Sequence, residues 1–250
     1  MDFTILVYKT LLKSFKSKGY KFVRFEDYLK NPQHEKTIIL RHDVDKKPQN
    51  ALKIAQVEAV LDIVSTYYFR MKKCSWNENV VKQIAALGHE VGYHYENISD
   101  CDGNIDEAYQ DFCENLQLMR SVVPIKTICM HGSPRSKYDN KILWTKYDYR
   151  SLDLLSEPYI DLDFSKVFYI TDTGRRWEVD KFSVRDKVQS SCSETYHKSQ
   201  DIILAIEEDN FPNQVMVTTH PQRWTDNWIE WLLELVLQNL KNQIKRFFVK

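Results

Sequence analysis

The segment from Thr37 to Asp45, Thr-Ile-Ile-Leu-Arg-His-Asp-Val-Asp, constrains the fold more than any other part of this 250-residue chain. Its β-branched and aliphatic start is typical of a strand that is buried on both faces, as strands are in parallel sheets. The run ends in two carboxylates, Asp43 and Asp45, which project to the same side because side chains alternate along a strand. Parallel βα folds place their sites at the carboxyl ends of strands, so this is where we expect chemistry.

Two carboxylates held so close repel each other unless a cation or a proton is shared between them. A divalent metal ion is therefore the natural companion of Asp43 and Asp45. The structural alternative is a strand end whose aspartates cap the helix that begins near Pro48.

Net charge, hydropathy and cysteine spacing argue against several classes of protein. Because 35 Lys and Arg balance 35 Asp and Glu, no nucleic-acid or acidic-membrane partner is indicated. No run approaches the roughly 18 apolar residues of a membrane span, and the first residues lack the pattern of a secretory signal. The five cysteines show no CxxC spacing and fit reduced thiols. We therefore expect a cytoplasmic protein, and the sequence leaves its oligomeric state open.

Apolar strand patterns alternate with helical patterns along the chain, which predicts an α/β fold. Strands are predicted at 37–43, 65–70, 89–96, 126–130 and 214–219, with weaker ones near 147–151 and 166–170. The strand-helix-strand order calls for parallel pairing with right-handed crossovers. We find no linker and no repeat, so residues 1–250 are expected to form a single domain.

Strand after strand ends in a residue that is able to bind a metal or to transfer a proton. These residues are Asp43, Asp45, His94, His131, Asp172 and His220. Their recurrence predicts that the strand ends converge on one mouth, as in a βα barrel. The last predicted helix carries a stripe of apolar residues that we expect to face the core: Trp224, Trp228, Trp231, Leu232 and Leu235.

Four segments, in this order, resemble the motifs of the polysaccharide deacetylase family, carbohydrate esterase family 4. They are 41–45, 88–94, 131–134 and 219–221, and the resemblance runs from about residue 37 to residue 224. It is closer to the branch found with bacterial surface-glycan biosynthesis, in which Asp-x-Asp replaces an adjacent pair of aspartates. The resemblance implies an irregular (β/α) barrel with about seven parallel strands. It also implies a metal-dependent hydrolase that removes an acetyl group from a sugar.

The resemblance assigns roles to individual residues. Asp43 matches the catalytic base, while Asp45 and His94 match metal-binding residues. His220 matches the histidine that acts as general acid. The family's second metal-binding histidine lies four residues after His94, where this chain has Ile98.

The departure at Ile98 leaves the third metal ligand to another residue. His131 is the first candidate and Glu96 the second, and the alternative is a weak or absent metal site. Zinc is the first choice of divalent ion, although histidine and carboxylate ligands also accept cobalt, nickel and iron. Asp172 stands near the place of the carboxylate that orients the last histidine of the family.

Three further residues are predicted to bind substrate. Trp177 has polar neighbours and is a candidate for stacking on a sugar ring. Arg175 is a candidate for binding an anionic group of the substrate. Arg135 lies just beyond the place of the third motif's arginine, which has no clean counterpart in this chain.

The leading interpretation is therefore a metal-dependent deacetylase, a hydrolase of non-peptide carbon–nitrogen bonds, acting on an N-acetylated sugar. In a cytoplasmic protein its partner would be a nucleotide-linked, lipid-linked or small sugar intermediate rather than a finished polymer. One alternative is a catalytically inactive sugar-binding pseudo-enzyme with the same barrel, which Ile98 favours. Another is a metal-dependent hydrolase of an amide that is not a sugar.

Overall fold

A single sheet of seven parallel strands forms the centre of the protein. The computed structural model describes residues 1–31, 36–132, 136–177, 188 and 195–248. The strands are β1 (Lys21–Val23), β2 (Thr37–Val44), β3 (Thr66–Phe69), β4 (Glu90–Tyr95), β5 (Ile128–Met130), β6 (Phe168–Thr171) and β7 (Gln214–Thr219). Their order is β5-β4-β3-β2-β7-β6, and β1 also pairs with β2. This curved parallel sheet surrounded by helices confirms the predicted irregular (β/α) barrel.

Ten described helices surround the sheet. They are α1 (Ile5–Ser17), α2 (Phe25–Lys30), α3 (Pro48–Val60), α4 (Glu78–Ala86), α5 (Asn97–Asp100), α6 (Ile105–Arg120), α7 (Leu143–Lys146), α8 (Pro158–Asp161), α9 (Ser199–Glu207) and α10 (Trp228–Phe248). Short 3-10 turns lie at Asn140–Ile142, Tyr149–Leu152, Thr173–Arg175 and Pro221–Arg223. Within the described residues, no helix is both long enough and apolar enough to cross a membrane.

Strand β2 is the centre of the sheet, as its sequence predicts. All eight of its residues are buried, and it pairs with β1, β3 and β7. The register places His42 beside Thr219 of β7 and Asp43 beside Tyr68 of β3. Strand β2 thereby fixes where its two aspartates lie relative to the ends of its neighbours.

One glycine lets β3 and β4 approach each other beside the strand ends. A Cβ atom at Gly92 would lie 2.9 Å from the carbonyl oxygen of Thr127 and closer still to the ring of Tyr68. That ring is held in place because the Tyr68 hydroxyl lies 2.9 Å from the hydroxyl of Thr127. Glycine is therefore required at this position of β4, two residues before His94.

Two predictions about the fold are wrong. The weak strand near 147–151 is a 3-10 turn at Tyr149–Leu152, which Asp148 caps by accepting a hydrogen bond from the backbone of Arg150. The predicted apolar stripe of the last helix faces the core only in part. Trp224 precedes the helix and is buried, and Trp231 and Leu235 are half-buried, but Trp228 is 67% exposed and Leu232 is 45% exposed.

Strand β1 escaped prediction because it has only three residues, too few to show an alternating pattern. The described cysteines, Cys74, Cys101, Cys113 and Cys129, form no disulfide.

Candidate active site and metal centre

The structure brings the predicted strand-end residues together at one end of the sheet. Asp43 lies in β2 and His94 in β4, while Asp45, His131 and His220 lie just beyond the ends of β2, β5 and β7. The parallel sheet places all of these carboxyl ends on one side, which is why residues far apart in sequence meet.

Asp45, His94 and His131 form the best candidate metal site. Oδ1 of Asp45 lies 3.7 Å from Nε2 of His94 and 3.5 Å from Nε2 of His131, and the three ligand atoms all lie within 4.8 Å of one another. Two nitrogen or oxygen ligands of a tetrahedral zinc ion, with bonds of about 2.0–2.1 Å, are separated by roughly 3.3 Å. The spacing therefore fits a divalent ion.

One atom of this candidate metal site lacks a hydrogen-bond partner among the described residues. Oδ1 of Asp45 is buried and accepts no hydrogen bond from the described residues, whereas Oδ2 accepts one from Nε2 of Gln222 at 3.1 Å. A buried carboxylate oxygen without a partner is costly, so its presence indicates a missing ligand. The donor set of one carboxylate and two imidazoles is one that zinc and related ions accept.

His94 is fixed in the form that binds a metal. Its Nδ1 lies 2.9 Å from the carbonyl oxygen of Cys129, which only accepts hydrogen bonds, so Nδ1 carries the proton. Nε2 therefore presents its lone pair towards Asp45. Burial lowers the pKa of His94 to about 4, although Asp43 opposes this, so the ring is neutral at neutral pH.

His131 is oriented by a carboxylate behind it. Its Nδ1 lies 2.8 Å from Oε2 of Glu96, and Oε1 of Glu96 accepts a hydrogen bond from Nε of Arg70 at 2.7 Å. Burial alone would raise the pKa of Glu96, but His131 and Arg70 lower it to about 2, so the carboxylate is ionised. Of the two candidates for the third ligand, His131 is therefore the one whose Nε2 faces Asp45, and Glu96 orients its ring. Ile98 is buried in the core.

The negative charges around His131 favour a cation at this position. Burial alone would lower the pKa of this histidine, but its hydrogen bond to Glu96 and the charge of Asp45 raise it. The negative charge here attracts a cation, and a bound metal ion would take the place of the proton on Nε2.

Asp43 lies next to the candidate metal site and is held by an arginine. Nε and Nη2 of Arg41 donate to its two carboxylate oxygens at 2.8 and 2.6 Å, and both side chains are buried. Burial alone would raise the pKa of Asp43, but Arg41 and His94 hold it well below its usual range. Cys129 and His94 also lie close enough to Asp43 to form a second possible ligand set. Because both oxygens of Asp43 already accept hydrogen bonds from Arg41, the set around Asp45 is the better site.

His220 lies on the other side of Asp45. Its Nδ1 lies 2.6 Å from Oδ1 of Asp172, and its Nε2 lies 3.9 Å from Oδ2 of Asp45. Arg223 and Trp224 also donate hydrogen bonds to Asp172, at 2.6 and 2.8 Å. Burial alone would raise the pKa of Asp172, but Arg223 and His220 lower it to about 2. The ionised carboxylate therefore fixes the proton of His220 on Nδ1 and turns Nε2 towards the site.

The predicted substrate-binding residues do not join this cluster. Trp177 is 1% exposed, and its indole nitrogen donates to the hydroxyl of Ser199 at 3.0 Å. Its burial leaves no ring face for a sugar, which corrects that prediction. Arg175 is also buried, with its guanidinium 4.9 Å from the ring centres of Phe3 and Trp231, so it stacks on aromatic side chains. Arg135 lies outside the described residues.

Sequence reasoning missed several supporting residues. Arg41, Arg70, Gln222 and Arg223 all contact a carboxylate of the site. Only Arg41 carried a usable signal, because it lies two residues before Asp43 in one strand and so shares its face. A cleft of about 220 Å³ opens beside His94 and Glu96.

Comparison with known proteins gives matches among solved structures alone. No family model matches the chain, and neither does any curated protein. A Streptococcus mutans CE4 esterase is 15% identical, with 93% of this chain and 90% of that chain covered and a TM-score of 0.48. The Bc1960 peptidoglycan N-acetylglucosamine deacetylase is 14% identical, with 92% and 89% covered and a TM-score of 0.44.

The solved structures also include a CE4 family pseudoenzyme, BA3943 from Bacillus anthracis. It is 14% identical, with 84% of this chain covered and a TM-score of 0.43. This chain spans 62% of the length of that pseudoenzyme. The chain is thus similar to CE4 proteins. Its activity has to be argued from its own residues.

Proposed function

We propose that this chain is a divalent-metal-dependent hydrolase that removes the acetyl group from an N-acetylated sugar. The observation that carries the proposal is the buried Oδ1 of Asp45, which accepts no hydrogen bond from the described residues and faces the Nε2 atoms of two histidines. A residue for each proton transfer of hydrolysis lies close by, Asp43 at 3.7 Å from Nε2 of His94 and His220 at 3.9 Å from Asp45.

Asp45, His94 and His131 would hold the cation, with zinc the first choice. A bound divalent ion supplies Lewis acidity, which polarises an acyl carbonyl and makes water more acidic. Two hydrogen bonds support this assignment. The carbonyl of Cys129 holds His94 and the carboxylate of Glu96 holds His131, each through Nδ1, so that Nε2 is turned towards Asp45.

Asp43 accepts the proton of the attacking water. Its carboxylate is ionised throughout the neutral range, because Arg41 holds its pKa well below the usual value. A base with so low a pKa is weak towards bulk water and becomes effective only where the water has been made more acidic. Arg41 also fixes the direction of the carboxylate through its two hydrogen bonds.

His220 delivers a proton to the leaving amine from Nε2. Asp172 holds the other ring nitrogen and stabilises the imidazolium that exists before this transfer. Each of the two proton-transfer groups is therefore oriented by a second charged residue, Asp43 by Arg41 and His220 by Asp172.

The geometry of the site supports hydrolysis of an acyl bond, and the choice of an N-acetylated sugar rests on the motifs of the sequence. We further infer that residues 1–250 act as one domain and that the sugar is a precursor of a surface glycan. A hydrolase of a non-sugar amide would use the same residues, so substrate screening must include both classes.

The test combines metal content with acetate release. Purified protein should contain nearly one divalent ion per chain by elemental analysis, and Asp45→Ala and His94→Ala should both lose it. The metal-loaded protein should release acetate from N-acetylglucosamine derivatives. Protein that stays empty after incubation with zinc, cobalt or nickel would refute the metal centre. Protein that binds metal and acetylated sugars but releases no acetate would instead be the sugar-binding pseudo-enzyme.

A further inference from the structure

Helix α10 exposes most of its large apolar side chains and buries several polar ones. Seven large apolar side chains between Trp228 and Leu240 are 45–67% exposed. The face that lies against the domain carries three nearly buried polar side chains, with Glu234 5%, Gln238 5% and Asn242 8% exposed, beside the half-buried Trp231 and Leu235. A surface helix normally buries its apolar stripe and exposes its polar one. We call the exposed stripe the apolar face of α10.

Specific hydrogen bonds hold the helix in this orientation. Oε2 of Glu234 lies 3.1 Å from Nζ of Lys46. Nδ2 of Asn242 donates to the carbonyl oxygen of Gly174 at 2.9 Å, and Nε1 of Trp231 donates to that of Asp2 at 2.6 Å. Rotating α10 to bury its apolar face would break all three bonds. The exposure is therefore built into the domain.

The spacing on this face is that of a helix-pairing seam. Ile229, Leu233, Val236 and Leu240 follow one another at intervals of four, three and four residues, which is the repeat by which two helices pack along each other. A single exposed apolar residue is ordinary, but a continuous apolar stripe marks an interaction site.

The area of the face suits a dimer. Seven side chains, each about half exposed, present on the order of 600 Å² of apolar surface, and a standard interface buries roughly 800 Å² per partner. The rim residues around such a stripe supply the remainder.

The charges along α10 favour a second copy of this chain as the occupant. Glu230 lies in its first turn, 3.6 Å from Nζ of Lys47 of the same chain, whereas Lys241 lies in its second half. An antiparallel pair related by a two-fold axis brings the acidic end of each helix beside the basic end of the other. An anionic bilayer would favour basic residues along the whole helix, and the first half of α10 carries acids instead.

We propose that two copies of this chain pair antiparallel through the apolar face of α10 to form a dimer. The pairing is independent of the chemistry proposed above, because none of its residues belongs to the candidate metal centre.

Sedimentation analysis of the purified full chain at micromolar concentration tests the proposal. The wild-type protein should have the mass of a dimer, and Leu233→Glu should be a monomer. Leu118→Glu is the matched control, because Leu118 lies on α6 and is 58% exposed, as Leu233 is. Far-UV circular dichroism of both variants establishes that they are folded.

A charge exchange tests the direction of pairing. Glu230→Lys should raise the dimer dissociation constant at least about tenfold by placing like charges together. Adding Lys241→Glu to the same chain should restore most of the affinity if the helices are antiparallel. A double variant no tighter than Glu230→Lys alone would overturn that orientation.

Three outcomes would overturn the dimer itself. One is a wild-type protein that remains monomeric at about 100 µM. Another is a dimer that Leu233→Glu leaves intact or that Leu118→Glu dissociates equally well. The third is a monomer that co-sediments with vesicles of phosphatidylcholine and phosphatidylglycerol, which would assign the face to a bilayer.

Discussion

Two buried groups of carboxylate and histidine lie on opposite faces of β2, and they differ in one respect. Behind the strand, Glu58 accepts hydrogen bonds from Tyr8, His42, Ser65 and Tyr67, so each of its oxygens has two donors. At the strand end, Oδ1 of Asp45 has none among the described residues. Both groups contain charges that are expensive to bury, yet only one is satisfied by protein atoms.

The difference separates a structural cluster from a ligand site. Burial alone would raise the pKa of Glu58, but His42 and its other donors lower it to about 2. This carboxylate is stable as an anion with no outside help. Burial alone would raise the pKa of Asp45, but His131, His220 and His94 lower it, and Oδ1 still accepts no hydrogen bond from the described residues. This oxygen is therefore the one that suits a bound cation. A buried titratable group is therefore informative about function when it is left unpaired.

Removing Asp45 should have the largest effect on function. In Asp45→Ala the metal should be lost and acetate release should fall by on the order of 10³-fold or more, because both the Lewis acid and its anchor are gone. The stability of the metal-free protein should change little, since the carboxylate accepts only one hydrogen bond from the described residues, that of Gln222 to Oδ2. Elemental analysis, acetate assay and urea unfolding check these points. Glu114→Ala, an exposed acid on α6, serves as control and should change none of them.

Removing Glu58 should lower the stability of the protein and leave metal binding intact. Glu58→Ala leaves Nε2 of His42 and the hydroxyls of Tyr8 and Tyr67 without this acceptor. The free energy of unfolding should therefore fall by about 3–5 kcal/mol. The folded fraction should still bind metal at full stoichiometry. Glu58→Gln keeps an acceptor oxygen and should lose less stability. A Glu58→Ala protein that is as stable as the wild type would show that the hydrogen bonds to Glu58 do not stabilise the fold, and would contradict its interpretation as a structural cluster.

Asp172 tests the acid–base half of the site apart from the metal. Asp172→Asn keeps the size of the side chain but takes away the anion that fixes the proton of His220 on Nδ1. The turnover number should fall by about 10²- to 10³-fold while metal content stays unchanged. Steady-state acetate assays and elemental analysis on one preparation measure both. Loss of metal in this variant would mean that the two halves are not separable.

Glu157 should give a smaller effect, on stability alone. It is fully buried, and burial raises its pKa to about 7. The folded state therefore holds a proton that the unfolded state releases near pH 4.5. The stabilisation is complete below pH 4.5 and is lost as pH rises towards and beyond 7, by on the order of 3 kcal/mol.

Unfolding of Glu157→Gln between pH 4.5 and 8 checks this prediction. The neutral amide still accepts the hydrogen bond from the backbone of Met130, so the variant should lack that part of the pH-dependent loss. If wild type and variant lose stability in parallel, another group is responsible.

The sequence identified most of the sheet because its strands are strongly apolar. The strands predicted at 37–43, 65–70, 89–96, 126–130, 166–170 and 214–219 all exist, within a few residues. The predicted strand near 147–151 failed because an aspartate caps a 3-10 turn there. Helix α10 was recognised as amphipathic, but part of its apolar stripe was assigned to the wrong side. Periodicity shows that a helix has two faces and cannot show which one the domain contacts.

The sequence identified those residues of the candidate site that lie at the ends of predicted strands. Asp43, Asp45, His94, His131 and His220 were named because each follows an apolar strand. Trp177 and Arg175 were misplaced, since polar neighbours in the sequence suggested exposure and the fold buries both. The choice of His131 over Glu96 required the hydrogen bond between them, which joins residues 35 apart in the chain.

The sequence by itself determined that this is a parallel α/β protein whose strands end in acid–base and metal-binding residues, because strand burial and side-chain alternation are local properties of the chain. Only the tertiary structure decided which of those residues are satisfied. Arg41 donates to both oxygens of Asp43, while Oδ1 of Asp45 accepts no hydrogen bond from the part of the chain that the structure describes. Hydrogen-bond partners come from distant strands, and burial sets the cost of lacking one. The assignment of a metal centre therefore depends on distances that no sequence pattern contains.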